Sequence, residues 1–386
     1  MAKISYLWAM HYFISAGEPS GDLHASALME AIKIKDPQAQ FTFLGGDLMT
    51  SVAGHEPVIH YSRMAFMGFS EVLRNLRTIF GNFKVAKKAL RESNADALVL
   101  VDYPSFNLKL AKEASKLGIP TYYFIAPKVW AWKEWRVKDL RRYIRKILSI
   151  LPFEEEYFAS KNVDAVYVGN PSREEIDQRI SQMPPREEFL LAHGLDANRR
   201  ILALIPGSRR GEIRCNLPIM DAVARRHSDM QVVVAGAPGV NPELYKEITD
   251  MPVITGKTFD LMCYADVALV TSGTATLECA LAGTPQVVCY RANGVKLSYN
   301  IMKHLLKVRY VSLPNLIADE PVIPEMLVHL CTVDSVDAEL CKIIPGSDGC
   351  KAQIEGYSRM RSRLGENPAA ATAAECIITD IKTITK

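Results

Sequence analysis

The sequence predicts an α/β protein with two Rossmann-like domains, each built around a doubly wound parallel sheet. Short apolar segments typical of buried strands alternate with segments of helical periodicity along the chain. The chain has 386 residues, which is longer than a domain with a single hydrophobic core usually is and is enough for two domains. Several apolar segments end directly in turns rich in Gly, Ser or Asp, as the ligand-binding strands of such sheets do.

The composition indicates a globular protein and disfavours several functional classes. The net charge is only +3, which argues against a general nucleic-acid binder. The eight cysteines form no CxxC pair, which favours reduced thiols over disulfides or a zinc site. No apolar run is long enough to span a membrane, and the N-terminus lacks a signal-peptide layout. Because Met10 directly precedes the first strand-like run, residues 1–9 are a candidate over-extended start.

The first half of the chain contains three candidate ligand-binding turns. Strands are predicted at His11–Ala16, 41–44, Ala97–Val101, 121–125 and 147–150. Residues 17–22 (GEPSGD) form a turn between the first strand and a helix predicted at 23–35. This turn is neither GxGxxG nor a Walker A loop, which disfavours a NAD-dependent dehydrogenase. Residues 102–107 (DYPSFN) and 126–132 (APKVWAW) follow two further strands, at the same expected sheet edge.

Asp102 is the candidate catalytic residue of this half. A carboxylate at the mouth of a cleft can act as a general base. The alternative is that Asp102 only caps the helix that follows Pro104. On the residues alone, the cap is the simpler interpretation.

Two segments combine apolar and basic residues. Residues 64–69 are densely apolar and lead into a basic segment at 71–91, and residues 133–146 carry seven basic side chains against two acidic ones. The charged face of such a helix is usually only solvated. The alternative is contact with an anionic membrane surface, which a lipid substrate would favour. The membrane-facing candidates are Met64, Phe66, Met67, Phe69, Arg74 and Arg77.

A domain boundary is predicted at the turn that begins with Gly169, giving domains at 1–168 and 169–356. Strands of the second domain are predicted at Ile201–Ile205, 231–237, 253–254, 267–270 and 287–290. The mostly helical residues 357–386 are expected to pack back on the first domain or across to a second subunit. After the first of these strands come Gly207, Ser208 and Arg209. Arg209 could clamp a diphosphate, because a guanidinium offers paired donors; the alternative is an ordinary surface arginine.

Residues 271–278 (TSGTATLE) stand where another helix must begin. The start of this helix would be formed by Ser272, Gly273 and Thr274, with the Ser and Thr side chains as caps. The free backbone N–H groups of such a helix start would suit a phosphate. Glu278 lies one turn further on, where it could accept hydrogen bonds from a ribose. The simpler interpretation is a well-capped βαβ unit. No DxD pair or metal-ligand cluster accompanies these turns, so we predict no metal and no cofactor, with Arg209 and the helix start neutralising a diphosphate.

Together, these motifs resemble the lipid-A-disaccharide synthase family. The matching segments are GEPSGD at 17–22, MGFSEVL at 67–73, DYPSFN at 102–107, PKVWAW at 127–132, LPFE at 151–154, PGSR at 206–209, TSGTATLE at 271–278 and VSLPN at 311–315. They follow the family's order from about residue 12 to 317. The chain departs from the family pattern at Asn170, where His is common, and at Pro19, where Ala or Thr is common.

The resemblance implies a metal-independent, inverting glycosyltransferase with two Rossmann-like domains facing a central cleft, the GT-B type. The implied reaction transfers 2,3-diacylglucosamine from UDP-diacylglucosamine to the 6-hydroxyl of 2,3-diacylglucosamine 1-phosphate (lipid X). The products are lipid A disaccharide 1-phosphate and UDP. Two alternatives stay open, a UDP-sugar 2-epimerase and a non-catalytic protein that binds a UDP-sugar or a lipid.

The resemblance also implies roles for individual residues. Asp102 becomes the general base. The donor site is carried over to Gly207, Ser208, Arg209, Ser272, Gly273, Thr274, Glu278 and Asn315. The acceptor side of the cleft is carried over to Gly17, Ser20, Gly21 and Asp22. The implied setting is cytoplasmic, at the anionic surface of the inner membrane, with a homodimer as a candidate assembly and no nucleic-acid partner.

Overall fold

A computed structural model describes residues 9–64, 76–291 and 309–384. The chain forms two compact units, Met1–Pro171 with Glu366–Lys386, and Ser172–Gly365. The membrane-facing candidates Phe66, Met67, Phe69 and Arg74 lie outside the described residues.

The described part of the first unit contains a seven-stranded parallel sheet in the order β3-β2-β1-β4-β5-β6-β7. Its strands are β1 (His11–Ala16), β2 (Gln40–Gly45), β3 (Ile59–His60), β4 (Ala97–Val101), β5 (Thr121–Phe124), β6 (Lys146–Ser149) and β7 (Ala165–Tyr167). Its helices are α1 (Pro19–Lys35), α2 (Asp47–Ala53), α3 (Leu76–Glu92), α4 (Pro104–Lys116), α5 (Val137–Tyr143), α6 (Pro152–Ser160) and the C-terminal α16 (Ala369–Ile384), and α7 (Pro171–Ser181) begins at the boundary.

The central strands of this sheet are covered on both faces. Every residue of β4 is buried, which explains its continuous apolar sequence ALVLV. One face packs against Leu28 of α1 and Ile377 of α16, and the other packs against Leu90 of α3 and Leu110 of α4. The predicted parallel α/β layering is therefore confirmed for the first unit.

The described part of the second unit contains a six-stranded parallel sheet in the order β10-β9-β8-β11-β12-β13. Its strands are β8 (Ile201–Ile205), β9 (Gln231–Gly236), β10 (Val253–Thr255), β11 (Val267–Thr271), β12 (Gln286–Tyr290) and β13 (Glu325–Leu327). Its helices are α8 (Arg186–Ala192), α9 (Arg210–Ala224), α10 (Glu243–Lys246), α11 (Thr258–Tyr264), α12 (Thr274–Ala282), α13 (Leu313–Ala318), α14 (Val333–Lys342) and α15 (Asp348–Leu364).

In each sheet, successive strands are added first on one side of the initial strand and then on the other, so the strand order reverses at one point. In the first unit this point lies between β1 and β4, where Ala16 pairs with Val101. In the second unit it lies between β8 and β11, where Ile205 pairs with Val270. In open parallel sheets, ligands bind beyond the carboxyl ends of the strands at such a switch point. The predicted turns at 17–22, 102–107, 206–209 and 271–278 all leave the sheets at these two points.

The C-terminal segment corrects the predicted domain range 357–386. Helix α15 belongs to the second unit, because Gln353 accepts a hydrogen bond from the amide of Gln286 over 2.6 Å and the Tyr357 hydroxyl donates to the Thr284 carbonyl over 3.0 Å. Only residues 366–386 return to the first unit.

The returning helix α16 packs on the first unit of its own chain. Glu375 pairs with Lys35 over 2.8 Å. Asp380 accepts a hydrogen bond from the Tyr122 hydroxyl over 2.8 Å and also pairs with Arg145. These contacts complete the helical layer beside α1.

Candidate active site

The turn after β4 holds two consecutive left-handed residues. Asp102 has φ 46° and Tyr103 has φ 47°, a conformation that non-glycine residues adopt at a cost. The main-chain oxygen of Asp102 accepts hydrogen bonds from Asn107 Nδ2 and from the Tyr123 hydroxyl, both over 2.7 Å. These two bonds hold the turn at the switch point.

Asn107 is itself held by its neighbours. The Ser15 hydroxyl donates to Asn107 Oδ1 over 2.7 Å, and Asn107 Nδ2 also lies 3.2 Å from the Val101 carbonyl. Asn107 and Ser15 are fully buried. Asn107 is the last residue of the DYPSFN motif, and its side chain links the Asp102 turn to Ser15 of the neighbouring strand β1.

The side chain of Asp102 has a shifted pKa. Burial raises its pKa, and the Tyr103 amide and Lys128 partly offset that rise. Helix α4 takes Tyr103, not Asp102, as its N-cap residue. The structure therefore disfavours the interpretation of Asp102 as a simple helix cap and leaves a half-buried carboxyl group at the carboxyl edge of the sheet.

A second buried carboxyl group lies near the same edge. Glu154 accepts hydrogen bonds from Trp130 Nε1 over 2.9 Å and from the Ser149 hydroxyl over 2.6 Å. Burial raises the pKa of Glu154, and Lys128 lowers it. Lys128 thus acts electrostatically on both Glu154 and Asp102. The sequence placed Lys128 and Trp130 in the turn at 126–132 but assigned neither of them a role.

Gly17 makes room for the aromatic ring of the Asp102 turn. A Cβ atom at Gly17 would lie 2.4 Å from ring carbons of Tyr103. The Tyr103 hydroxyl donates to the Met64 carbonyl over 2.7 Å, which fixes the ring in place. Helix α1 begins at Pro19, four residues earlier than predicted, so the exposed Ser20 lies in its first turn.

The predicted cleft roles of Asp22 and Gly21 are corrected. Asp22 is buried, and its carboxylate accepts hydrogen bonds from the amides of Gly46 over 2.7 Å and Leu48 over 3.1 Å. It therefore holds the start of α2. Gly21 is buried where a Cβ atom would lie 3.3 Å from the Cβ of Ala16, so its role is the close packing of α1 on β1.

In the second unit, the turn after β8 is closed by an internal carboxylate. Glu212 Oε2 accepts hydrogen bonds from the amides of Ser208 over 3.2 Å and Arg209 over 3.3 Å, and Arg209 Nη1 donates to Glu212 Oε1 over 3.0 Å. Gly207 has φ 109°, and a Cβ there would lie 2.6 Å from Glu212. The Arg209 side chain is 73% exposed, so its remaining donors face solvent.

The turn after β11 leads into a helix start without a side-chain cap. Gly273 is the N-cap residue of α12, so the predicted capping by Ser272 and Thr274 is wrong. Thr274 instead forms a hydrogen bond with Glu278, whose pKa is raised by burial and lowered by that bond. A Cβ at Gly273 would meet nothing within 4 Å, so the backbone there is open to a ligand. The buried Thr271 hydroxyl at the strand end has no hydrogen-bond partner among the described residues.

Asn315 is not positioned to contact a ligand, which corrects its predicted role. It is 1% exposed, and its side chain bonds both the amide and the carbonyl of Ile323, over 2.8 and 2.9 Å. Glu325 accepts hydrogen bonds from Asn315 over 2.9 Å and from the Ser312 amide over 2.9 Å. Asn315 and Glu325 therefore position the start of α13.

The two membrane-facing candidates that the structure describes, Met64 and Arg77, differ in exposure. Met64 is buried in the first-unit core at 1% exposure, so its predicted membrane contact is corrected. Arg77 is exposed on α3, which also exposes Phe80 and Val85. None of the helices in the described residues has the length and apolar character needed to cross a bilayer.

Among the described residues, His227, Asp337 and Cys341 lie close enough together to hold a metal ion. Asp337 already bonds His227 over 2.7 Å and Arg226 over 2.9 Å. The Arg226 guanidinium opposes a second cation, so we assign no metal to this group. Its residues lie on α14 and after α9, away from the β8/β11 switch point.

Comparison with known proteins gives matches over nearly the whole chain. The profile of a family described as Lipid-A-disaccharide synthetase matches residues 12–381. A Myxococcus xanthus protein named lipid-A-disaccharide synthase is 37% identical over 378 residues, which cover 95% of this chain and 96% of that protein. A Syntrophus aciditrophicus protein of the same name is 36% identical over 379 residues, with 96% and 97% coverage.

This chain belongs to the lipid-A-disaccharide synthase family.

The family predicted from the motifs is thus confirmed, and membership makes the chain a glycosyltransferase of lipid A biosynthesis. Solved structures add similarity of fold alone. A UDP-N-acetylglucosamine 2-epimerase from Rickettsia bellii aligns with TM-score 0.62 at 10% identity, covering 98% of each chain. The glycotransferase of kitacinnamycin aligns with TM-score 0.59 at 15% identity, covering 96% of this chain and 99% of that one. Their shared fold confirms the predicted GT-B class.

Proposed function

We propose that this member of the lipid-A-disaccharide synthase family transfers 2,3-diacylglucosamine from its UDP donor to the 6-hydroxyl of lipid X. The observation that carries this proposal is the placement of complementary groups at the two switch points. Asp102, a candidate base, stands at the switch point of the first sheet. Arg209 and an uncapped helix start stand at the switch point of the second.

On the acceptor side, Asp102 would remove the proton of the attacking hydroxyl. General bases work best when their pKa approaches the operating pH, and burial moves the pKa of Asp102 upward in that direction. The bonds from Asn107 and Tyr123 hold the Asp102 main chain, which would keep its carboxylate aimed at the acceptor.

On the donor side, fixed protein groups would neutralise the departing UDP. The exposed Arg209 guanidinium can bind two phosphate oxygens, and the open backbone at Gly273 offers N–H donors at the positive end of α12. Ser208, Ser272 and Thr274 would add hydroxyl donors. Gly207 would leave space for the Glu212 carboxylate, which accepts hydrogen bonds from the amides of this turn. These groups would neutralise the charge that develops on UDP without a divalent ion, so we propose a metal-independent transfer. The acceptor 6-oxygen would form its bond to the anomeric carbon opposite the breaking bond to UDP, which inverts the configuration there.

Glu278 would bind the ribose of the donor. It is a half-buried carboxyl group, one turn into α12. Its bond to Thr274 holds it beside the proposed phosphate site.

Diacylated substrates place the reaction at a membrane surface. The exposed Phe80 and Val85 beside Arg77 on α3 would suit a shallow contact with an anionic bilayer. We further propose the cytoplasmic face of the inner membrane as the setting, and sedimentation of the purified protein would test for a homodimer.

The deciding experiment incubates the purified chain with UDP-diacylglucosamine and lipid X, with and without EDTA. We expect a β-1,6-linked disaccharide 1-phosphate and stoichiometric UDP, at the same rate in both arms. Epimerised donor without disaccharide would instead identify a 2-epimerase. UDP binding without turnover would identify a binding protein. Loss of activity in EDTA would refute the metal-independent mechanism.

A further inference from the structure

A cationic groove of about 390 Å³ lies between α4 and α5 in the first unit. Lys109 and Lys112 line it from α4. Trp135, Arg136 and Asp139 line the opposite wall. The groove begins at Pro104, two residues after Asp102, and follows the flank of α4 away from the sheet edge.

The positive charges of this groove outnumber its single acidic residue, and none of them forms an ion pair with the described residues. Arg136 is only 6% exposed and donates from Nη2 to the Ser105 hydroxyl over 2.9 Å. No carboxylate of the described residues lies within 4.0 Å of its guanidinium, and Asp139 acts on it from a longer distance. Lys109 and Lys112 are exposed and form no ion pair within 4.0 Å with any residue that the structure describes. Asp139 is the single acidic residue of the lining. Burial lowers the pKa of the Arg136 guanidinium, and Asp139 offsets this effect only in part, so an anion in the groove would stabilise the buried charge.

The rim of the groove has the composition of a membrane interface. Trp135 is 64% exposed, and the Arg136 guanidinium carbon lies 5.5 Å from the centre of its ring. Trp132, nearby in sequence, is 56% exposed with Lys133 Nζ 3.9 Å from its ring. Exposed tryptophans beside lysine and arginine are typical of the headgroup level of a bilayer.

We propose that this groove binds the phosphate of an anionic lipid, with Arg136 as the buried anchor and Lys109 and Lys112 as the outer cations. Arginine suits this task because its planar fork matches two phosphate oxygens. The phosphate could be carried by a membrane phospholipid or by the 1-phosphate of the acceptor. The second source rests on the proposed function, whereas the first does not.

The test compares a groove variant with a control of equal charge change. The groove variant is Lys109→Gln with Lys112→Gln, and the control is Lys138→Gln with Lys382→Gln, which removes two exposed lysines outside the groove. Both are assayed for binding to phosphatidylcholine vesicles with and without phosphatidylglycerol, and for the KM of lipid X in detergent. Arg136→Lys, which keeps the positive charge but loses the paired N–H donors of the guanidinium, is measured in the same two assays.

We expect the affinity of the groove variant for its anionic lipid to be lower than that of the control by roughly five-fold per lysine. This factor corresponds to about 1 kcal/mol for each cation near an anionic surface. A loss confined to phosphatidylglycerol-dependent vesicle binding assigns the site to a membrane phospholipid. A raised KM for lipid X, with kcat and UDP affinity unchanged, assigns it to the acceptor phosphate. Equal behaviour of groove and control variants in both assays overturns the proposal. The vesicle assay needs no turnover, so it stays decisive even if the proposed glycosyl transfer fails.

Discussion

Asn107 Nδ2 donates to the main-chain oxygen of Asp102 over 2.7 Å, and this bond spans a turn whose two leading residues are left-handed. We predict that Asn107→Ala lowers kcat by about 10- to 100-fold, because the carboxylate of Asp102 loses its orientation. The variant should also lose about 2 kcal/mol of folding free energy from unpaired buried groups. Steady-state kinetics and denaturant unfolding measure the two effects.

Ser15→Ala is the matched control for Asn107. It removes the hydroxyl that bonds Asn107 Oδ1 but leaves the bond from Asn107 to Asp102. We expect a stability loss of about 1 kcal/mol with little change in kcat. If Ser15→Ala lowers kcat as strongly as Asn107→Ala, the effect is general destabilisation and the positioning role is wrong.

Asp102→Asn tests the proposed base directly. The amide keeps the size of the side chain but cannot accept a proton, so we expect kcat to fall by about 10²- to 10⁴-fold. UDP affinity should stay unchanged, because the proposed donor-binding residues lie in the other unit. Asp164→Asn, which alters an exposed carboxylate beside β7, should retain activity. Near-normal turnover of a folded Asp102→Asn protein would remove Asp102 from the mechanism.

The electrostatic effect of Lys128 predicts a shift in pH dependence. A general base acts in its deprotonated form, so if the proposed base is Asp102 we expect activity to rise as the pH passes upward through the pKa of Asp102. Burial raises that pKa and Lys128 lowers it. Lys128→Met should therefore raise the pKa of Asp102 further and move the acidic limb of the kcat profile to higher pH. Lys138→Met should leave the limb in place, and a limb that does not move in Lys128→Met would contradict the coupling.

Arg209 and its neighbour Arg210 form a natural comparison for donor binding. Both are exposed, but only Arg209 pairs with Glu212 in the turn after β8. We expect Arg209→Ala to weaken UDP binding by roughly 10- to 100-fold, the contribution of a charge-assisted hydrogen bond. Arg210→Ala should change it little. Calorimetric titration with UDP measures both, and equal losses would point to net charge as the cause.

The parallel sheets and the four turns at the switch points could be predicted because apolar strands and Gly-containing turns are local signals. The structure places β1, β4, β8 and β11 within a residue of their predicted bounds. The edge strands β3 and β13 were missed, because two or three residues carry too little pattern to indicate a strand.

The roles of individual polar residues could be predicted less well. Asp22 and Asp102 both follow strand-like segments, and the sequence cannot show that Asp22 is occupied by the Gly46 amide. The same limit applies to Asn107, whose partner Ser15 is 92 residues away in the chain. Such roles depend on long-range pairing, which residue spacing does not encode.

Asn315→Ala distinguishes a positioning role from direct donor binding. The substitution leaves the Ile323 amide and carbonyl without their buried partner and removes one bond to Glu325. We expect a loss of about 2–3 kcal/mol in folding free energy, which lowers Tm by several degrees in a unit of this size. Well below that Tm, UDP affinity should change by less than about three-fold, under 1 kcal/mol. A large loss of UDP affinity at unchanged Tm would instead restore Asn315 as a donor ligand. Differential scanning calorimetry and titration on the same sample decide between the two.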